Sequence, residues 1–492
     1  MNELYALIER LIELSIQNRL ITSRDALYTR NRLLAAFHEN NYEPSTPVQT
    51  DLYDTLDALA ELAVSKSIIE DTISQKDCFT STLMNCFLPL PSDIETNFWQ
   101  LYKNSPKDAT SYFYNLSQFS NYIKMNRIAK NISFHTPSPY GILDITINLS
   151  KPEKDPKDIA KQKSMASSTY PTCLLCIENE GFTGTSALPD RANHRMIRLH
   201  LNHRDWMLQY SPYLYYNEHC ILLSQKHEPM SLTKNSFYNL LSFVNEFPHY
   251  FIGSNADLPI VGGSILAHEH YQGGCYEFPM HRATVIDTFT LEAYPNIQGS
   301  LLNWPLSSLS ISGDSLEEVA ECTNYIYEKW KVYSDSQVGI LANTEGTRHN
   351  TITPVARKKD GKFIMDIALR NNRTSEEHPL GIFHPHQDVQ HIKKENIGLI
   401  EVMGLAILPG RLKDELEAVK SYIIGEASES AVADYHLPWA KELKANYDDS
   451  IDPTSYVHEA VGQKFSCVLE DAGVFKMNEE GITHFKQFIA TL

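Results

Sequence analysis

Apolar residues recur at helical spacing through the first part of the chain. Leu4, Leu7, Ile8, Leu11 and Ile12 mark one helix between residues 4 and 16. Asp25 to Phe37 and Asp51 to Val64 repeat the pattern, the latter with a stripe at Leu52, Leu56 and Leu59. Ser23 and Thr50 are the expected N-caps. From Ile132 to Leu149 the period shortens to that of strands, with Ile142, Leu143, Ile145 and Ile147 following a turn at Pro137-Ser138-Pro139. Lys151 to Tyr170, rich in Lys, Asp, Ser and Pro, reads as a solvated linker. Trp206 to Ser211 and His219 to Ser224 read as paired strands across Pro212 to Asn217. Phe237, Leu240, Leu241, Val244 and Phe247 then give an amphipathic helix. Further on, His281 to Tyr294 and Val338 to Asn343 read as strands, and Val355 to Ala368 as a hairpin about Asp360-Gly361. A helix is expected from Lys393 and a polar helical tail from Leu412 onward.

Composition narrows the class. With 492 residues the chain exceeds one ordinary core and predicts several lobes. A net charge of −18 argues against nucleic acid or an anionic membrane as partner, since either calls for a basic face. No apolar run approaches the roughly 20 residues of a membrane span, and Met1-Asn2-Glu3 opens no signal peptide. Eight cysteines without an export signal read as cytoplasmic thiols or metal ligands rather than disulfides.

The chemistry concentrates between Asn255 and Gly274. His268, His270 and Gln272 alternate, so an extended backbone puts all three on one face and Glu269 and Tyr271 on the other. Gly262-Gly263-Ser264 offers unhindered N–H groups and a hydroxyl for an oxyanion. The plain alternative is a pair of surface histidines at a strand end. Upstream, Cys173-Leu-Leu-Cys176 is half of a tetrahedral zinc site, because two thiolates on a tight turn reach one ion. A redox role would need a thioredoxin-like context, which the following Glu-Asn-Glu-Gly does not supply. Cys78 and Cys86 lack histidine company and read as small buried residues.

The order Cys-x-x-Cys, hairpin, His227 at a strand end, helix, His-x-His strand resembles the histidine-triad superfamily and, within it, the galactose-1-phosphate uridylyltransferases. Their class II branch is the nearer match, through Asn-Glu-His-Cys at 217–220, Gln-Lys-His at 225–227 and Asn-Ala-Asp-Leu-Pro-Ile-Val-Gly-Gly-Ser at 255–264. The resemblance implies an α+β fold. Two histidine-triad-like antiparallel-sheet lobes with packed helices (151–282, catalytic, and 283–412) would follow a helical N-terminal lobe (1–150) and precede a helical C-terminal segment (413–492). It implies His270 as nucleophile, Gln272 as partner of the transferred phosphoryl group, and Cys173, Cys176, His227 and His268 as zinc ligands. Asn255, Gly262, Gly263 and Ser264 fall where nucleotide and phosphate are held, and Lys393 or Lys394 where a basic residue nears the sugar phosphate. Zinc without an organic cofactor, UDP-glucose and galactose 1-phosphate as substrates, and a homodimer complete the implication.

The chain departs from the class I pattern at Glu269, where that branch has Pro, and at Tyr271, where it has Gly. The spacing from Gly-Gly-Ser to His is a residue longer. The strand at Phe363 to Leu369 carries Asp366-Ile367-Ala368 where some class I enzymes have metal-binding histidines, so no second metal site is expected; His384-Pro385-His386 does not replace it. A neutral imidazole attacks phosphorus well near pH 7 and divides one displacement into two. Where the triad hydrolases carry a third histidine, this chain carries Gln272, which cannot pass a proton to water, and transfer is favoured over hydrolysis. The rival readings are a dinucleotide phosphorylase or hydrolase on the same scaffold and a zinc-stabilised nucleotide-binding module without turnover.

Overall fold

The computed structural model describes residues 2–150, 170–184, 188–263 and 265–492. The expected linker therefore lies outside the described residues except for Tyr170, and so does Ser264.

Helices Asn2–Gln17, Ala26–Ala36 and Leu52–Ser65 match the three apolar stripes, and Ile73–Asn85, Pro91–Tyr102 and Pro106–Phe119 extend the helical lobe. The caps differ from expectation. Asp51, not Thr50, accepts the Asp54 N–H at 2.8 Å. The second helix follows directly on a 3-10 turn, Ser23–Asp25, so its N-cap is Asp25 rather than Ser23; the Asp25 Oδ2 accepts the N–H and hydroxyl of Thr22, the residue that caps the turn. A carboxylate is the stronger acceptor at a helix start and also faces the positive end of the helix dipole.

Strands β1 (Ile132–Ser138) and β2 (Gly141–Asn148) form the expected hairpin. The main sheet is built from β3 (Ile197–Leu201), β4 (Arg204–Tyr210), β5 (Cys220–Ser224), β6 (Phe251–Gly253), β7 (His270–Gly274), β8 (Val285–Leu291), β9 (Tyr294–Leu302) and β10 (Ser308–Gly313). After a short hairpin of β11 (Asn343–Thr344) and β12 (Thr347–Arg348), β13 (Asn350–Lys359) and β14 (Lys362–Asn371) complete it. Its ten strands run β3-β4-β5-β7-β6-β13-β14-β10-β9-β8. Read inward from either edge, the halves have one plan: a three-stranded meander, a helix (Lys234–Glu246 or Leu316–Val332), then two strands with the later one inserted beside the meander. The halves meet where Val355 pairs with Gly253 and Ala356 with Ile252. The second lobe thus repeats the first in topology.

One face of this sheet, with Trp206, Leu222, Tyr271 and Ile352, packs on both helices and on the N-terminal lobe in a single core. The other face, with Phe251, Val355 and Ala368, lies under a second core that includes Leu399, Val402, Val461 and Phe465. That second layer contains β15 (Leu405–Pro409), which pairs parallel with β2, so the β1–β2 hairpin joins the C-terminal part of the chain. The tail after Leu412 is helical as expected (Leu412–Ile423, Leu437–Asn446, Pro453–Ala472, Glu479–Ile489), but amphipathic rather than polar, with Leu412, Val419, Phe465 and Leu469 buried.

Two expected elements are absent among the described residues. Val338–Asn343 is not one strand: Gly339 at φ 77° follows a short turn of 3-10 helix and breaks the extended run. No helix starts at Lys393; the chain turns until Leu399–Val402, because the Lys393 side chain is drawn inward to Glu401. No helix among the described residues is long and apolar enough to cross a membrane.

Candidate active site and metal centre

Strand β7 begins at His270, where it pairs with Leu223 of β5, and Gln272 lies between Ile221 and Gly253. His268 precedes the strand in a bend and is fully buried. His270 Nδ1 stands 2.8 Å from the His268 carbonyl oxygen. A carbonyl only accepts, so Nδ1 carries the proton and Nε2 keeps its lone pair. Burial lowers the pKa of this ring, partly offset by that carbonyl, so it is neutral near pH 7.

Gln272 is held from behind. Its Oε1 lies 3.1 Å from His219 Nε2, which turns the amide N–H groups the other way. His219 is 2% exposed, lies tilted against the Tyr216 ring, and burial pushes its pKa down to about 4. The hydrophobic pattern does not single out His219; its only signal is its place at a strand start in Asn217-Glu218-His219-Cys220. Glu269 and Tyr271 face the opposite side as expected. Tyr271 donates to Glu269 Oε1 at 2.8 Å, and Arg204 donates to Oε2 at 3.0 Å. These two departures from the class I pattern thus form one polar cluster on the face of β7 opposite His270 and Gln272.

Carrying the β6–β7 register on from Gly253 and Gln272 sets Asn255 level with His270. Asn255 Oδ1 accepts the Leu399 N–H at 2.9 Å. A Cβ at Gly263 would stand 2.7 Å from Asn255 Nδ2, so only glycine lets this turn close on the asparagine. Gly262 is bridged to Ala256. The structure therefore brings Asn255, Gly262 and Gly263 together. Lys394 is exposed on the segment that leads to Leu399, whereas Lys393 is buried and ion-paired with Glu401 at 2.9 Å.

Cys173, Cys176, His227 and His268 converge, with their ligand atoms all within 4.8 Å of one another. Cys173 Sγ lies 3.3 Å from His268 Nδ1, Cys176 Sγ 3.2 Å from His227 Nδ1, and the two sulfurs 3.5 Å apart. A tetrahedral ion with bonds of about 2.3 Å to sulfur and about 2.0 Å to nitrogen holds such atoms roughly 3.5 Å apart. The donor set fits a metal ion. His268 Nε2–H donates to the Ser224 carbonyl at 2.8 Å, which leaves Nδ1 free to face the thiols. Burial raises the Cys173 pKa, but the His268 ring and the Leu175 N–H outweigh it and bring the thiol down to about 6. His384 and His386 lie elsewhere: His384 Nε2 faces Asn396 and His386 Nδ1 faces Asp471.

Family models describe almost the whole chain. Residues 19–229 match the galactose-1-phosphate uridyl transferase N-terminal domain, and residues 243–441 match the C-terminal domain. A galactose-1-phosphate uridylyltransferase of Clostridium perfringens strain 13 is 56% identical over 496 residues, covering 100% of both chains. Those of Streptococcus pneumoniae strain CGSP14 and Ligilactobacillus salivarius strain UCC118 are 50% and 48% identical, each covering 98% of both chains. Among solved structures, a yeast Ap4A phosphorylase, Apa2, aligns with 70% of this chain and 98% of its own at 12% identity, with a TM-score of 0.32. On both domain models and full-length identity, the chain belongs to the galactose-1-phosphate uridyl transferase family.

Proposed function

We propose that the chain exchanges UMP between UDP-glucose and galactose 1-phosphate through a uridylyl group carried on His270 Nε2. The observation that carries this reading is the Nδ1–H bond from His270 to the His268 carbonyl, which leaves Nε2 unprotonated on a neutral ring. Its lone pair attacks the α-phosphorus of UDP-glucose, the P–O bond to glucose 1-phosphate breaks, and UMP remains on nitrogen. A phosphate oxygen of galactose 1-phosphate then attacks the same phosphorus, the P–N bond breaks, and UDP-galactose leaves.

The Gln272 amide N–H groups face the transferred phosphoryl oxygens, because Oε1 is engaged by His219. Asn255, Gly262, Gly263 and Ser264 serve the nucleotide and its phosphates, and Lys394 the sugar phosphate. The metal of the Cys173, Cys176, His227 and His268 set is zinc, which ties the cysteine turn, the hairpin and the reactive strand together. Cytoplasmic residence fits eight cysteines that form no disulfide, and a homodimer follows from the family resemblance.

The test is incubation with UDP-glucose alone. Glucose 1-phosphate should appear in a burst no larger than the concentration of active sites, leaving UMP on the protein in an acid-labile, alkali-stable bond. Adding galactose 1-phosphate should discharge it as UDP-galactose. Orthophosphate discharging it equally well would favour a phosphorylase. Ligand binding without any exchange between UDP-glucose and glucose 1-phosphate would leave only a binding module.

A further inference from the structure

Arg370 is 1% exposed, among the largest side chains in the protein that are fully buried, and among the described residues it has no carboxylate hydrogen-bonded or ion-paired to it. Its Nη1 donates to Thr353 Oγ1 at 3.3 Å, its Nη2 donates to the Ile397 carbonyl at 3.0 Å, and Nε has no partner among the described residues. A buried guanidinium is ordinarily paired, because desolvating a lone cation is costly. The nearest carboxylate in charge terms is Glu401. Both of its oxygens are engaged, Oε1 with Lys393 and Oε2 with the Gly398 N–H. His384, the other titratable neighbour, is kept neutral by burial. Glu395 Oε2 also lies 3.8 Å from Lys393 Nζ, but that carboxylate is exposed and screened by solvent, so among the buried groups Arg370, Lys393 and Glu401 leave one positive charge.

The place of that charge is fixed by the sheet. Arg370 pairs with Thr351 across β13 and β14, so it shares a face with Thr351, Thr353 and Val355. Val355 pairs with Gly253, which pairs with Gln272, so this is also the face of Gln272 and His270. The Ser254 N–H donates to the Pro354 carbonyl, which carries the β6–β13 register beyond its last paired residues. Continued in both ladders, that register sets Thr353, Asn255 and His270 side by side. Two strand spacings separate Thr353 from His270, about 10 Å. The same guanidinium holds the Ile397 carbonyl, at the turn whose Leu399 N–H is bound by Asn255.

We infer that Arg370 is a positioning residue for the phosphate-bearing substrates: it fastens the 396–399 turn onto Asn255 and leaves an uncompensated positive charge behind the phosphoryl site. The inference rests on the functional reading above. A unit charge about 10 Å away, at an effective dielectric constant near 20, shifts affinity for each unit of ligand charge by roughly tenfold. A neutral ligand of the same site does not feel it.

The experiment compares uridine with UMP. Wild-type holoenzyme and the Arg370→Met, Arg370→Gln and Arg370→Lys variants are titrated calorimetrically with each ligand. In the wild type UMP should bind more tightly than uridine. In the two neutral variants the ratio of UMP to uridine affinity should fall at least about tenfold, while Arg370→Lys keeps the ratio within about threefold. A neutral variant that retains the wild-type ratio overturns the inference, and so does a lysine variant as deficient as methionine. If both neutral variants fail to fold, Arg370→Lys decides alone, a tenfold fall in its ratio counting against the charge. Wild-type protein that binds neither ligand instead undoes the functional reading itself.

Discussion

His219 Nε2 and Gln272 Oε1 are 3.1 Å apart, and this contact turns the donor end of the amide away from His219. An amide has a donor end and an acceptor end, and only the donor end steadies a phosphoryl oxygen. Gln272→Ala should therefore slow both half-reactions, by about a hundredfold if the amide acts like one preorganised oxyanion donor. His219→Phe keeps the ring against Tyr216 but removes the N–H, and should slow both half-reactions by about tenfold, the worth of one hydrogen bond. Gln272→His should instead raise the leakage of UMP to water relative to transfer. Partition of the uridylyl group between water and galactose 1-phosphate, measured by product ratio, checks this; an unchanged ratio would sink the role given to the amide.

The metal prediction concerns stability as well as rate. The four ligands come from the cysteine turn, the end of β5 and the approach to β7, so a bound ion cross-links three segments. Purified protein should carry about one zinc per chain. Cys176→Ser should lose it, melt roughly 3–5 °C lower and lose activity together. Elemental analysis and thermal melting read this out. Metal-free protein with full activity and an unchanged melting temperature would leave the cluster as a hydrogen-bonded network only.

Much of this arrangement is legible in the chain. The Cys-x-x-Cys turn, His227, the His-x-His strand and the helix after β5 all stand out by spacing and residue type, and the structure brings the four ligands together. What the sequence conceals is set by tertiary contacts. The repeat of the two halves appears in strand order, which is set by pairing between segments distant in the chain. Leu316–Val332 is capped by Ser315 on the Glu318 N–H and buries Val319, Cys322, Ile326 and Trp330 at helical spacing, with Thr323 and Tyr327 diluting the apolar stripe. Arg370 lies one residue past the strand read at Phe363 to Leu369 and has no local signal of burial, and Lys393 reads as the start of a helix. Each is drawn inward by groups distant in sequence, Thr353 and Ile397 for one, Glu401 and Ile407 for the other.

Acid should destabilise the fold before its carboxylates titrate. His194, His219 and His391 are buried and held neutral. Burial, with Arg191 and Arg195 nearby, pushes His194 well below the usual imidazole range; burial takes His219 to about 4, and burial with His436 beside it takes His391 to about 3. The folded pKa values are depressed, so below about pH 6.5 the unfolded chain takes up protons that the folded chain refuses. Stability is then full above that pH and falls as the pH drops toward the folded values, by about 1.4 kcal/mol per pH unit for each ring. Urea midpoints at pH 7.5, 6.0 and 5.0 should decline progressively, and His391→Gln should flatten the decline by the share of one ring. Midpoints independent of pH across that range would contradict the burial of neutral imidazoles.

The sharpest prediction separates the two histidines of the reactive segment. His268 has Nδ1 toward the thiols and Nε2–H on the Ser224 carbonyl, so neither nitrogen is free to attack. His270 spends only Nδ1–H, on the His268 carbonyl, and keeps Nε2. Removing the His270 ring should therefore abolish attack while leaving the phosphoryl and nucleotide groups in place. His270→Gly opens a space the size of an imidazole on a strand whose neighbours at Leu223 and Gly253 are undisturbed. Uridine 5′-phosphoimidazolide brings both the missing ring and the activated uridylyl group. It should restore formation of UDP-galactose from galactose 1-phosphate in this variant, which UDP-glucose cannot do. His268→Ala should lose metal and stability and should not be rescued, because its ring is structural rather than reactive. Product formation by His270→Gly from UDP-glucose alone, or rescue of His268→Ala but not of His270→Gly, would move the nucleophile off Nε2 of His270.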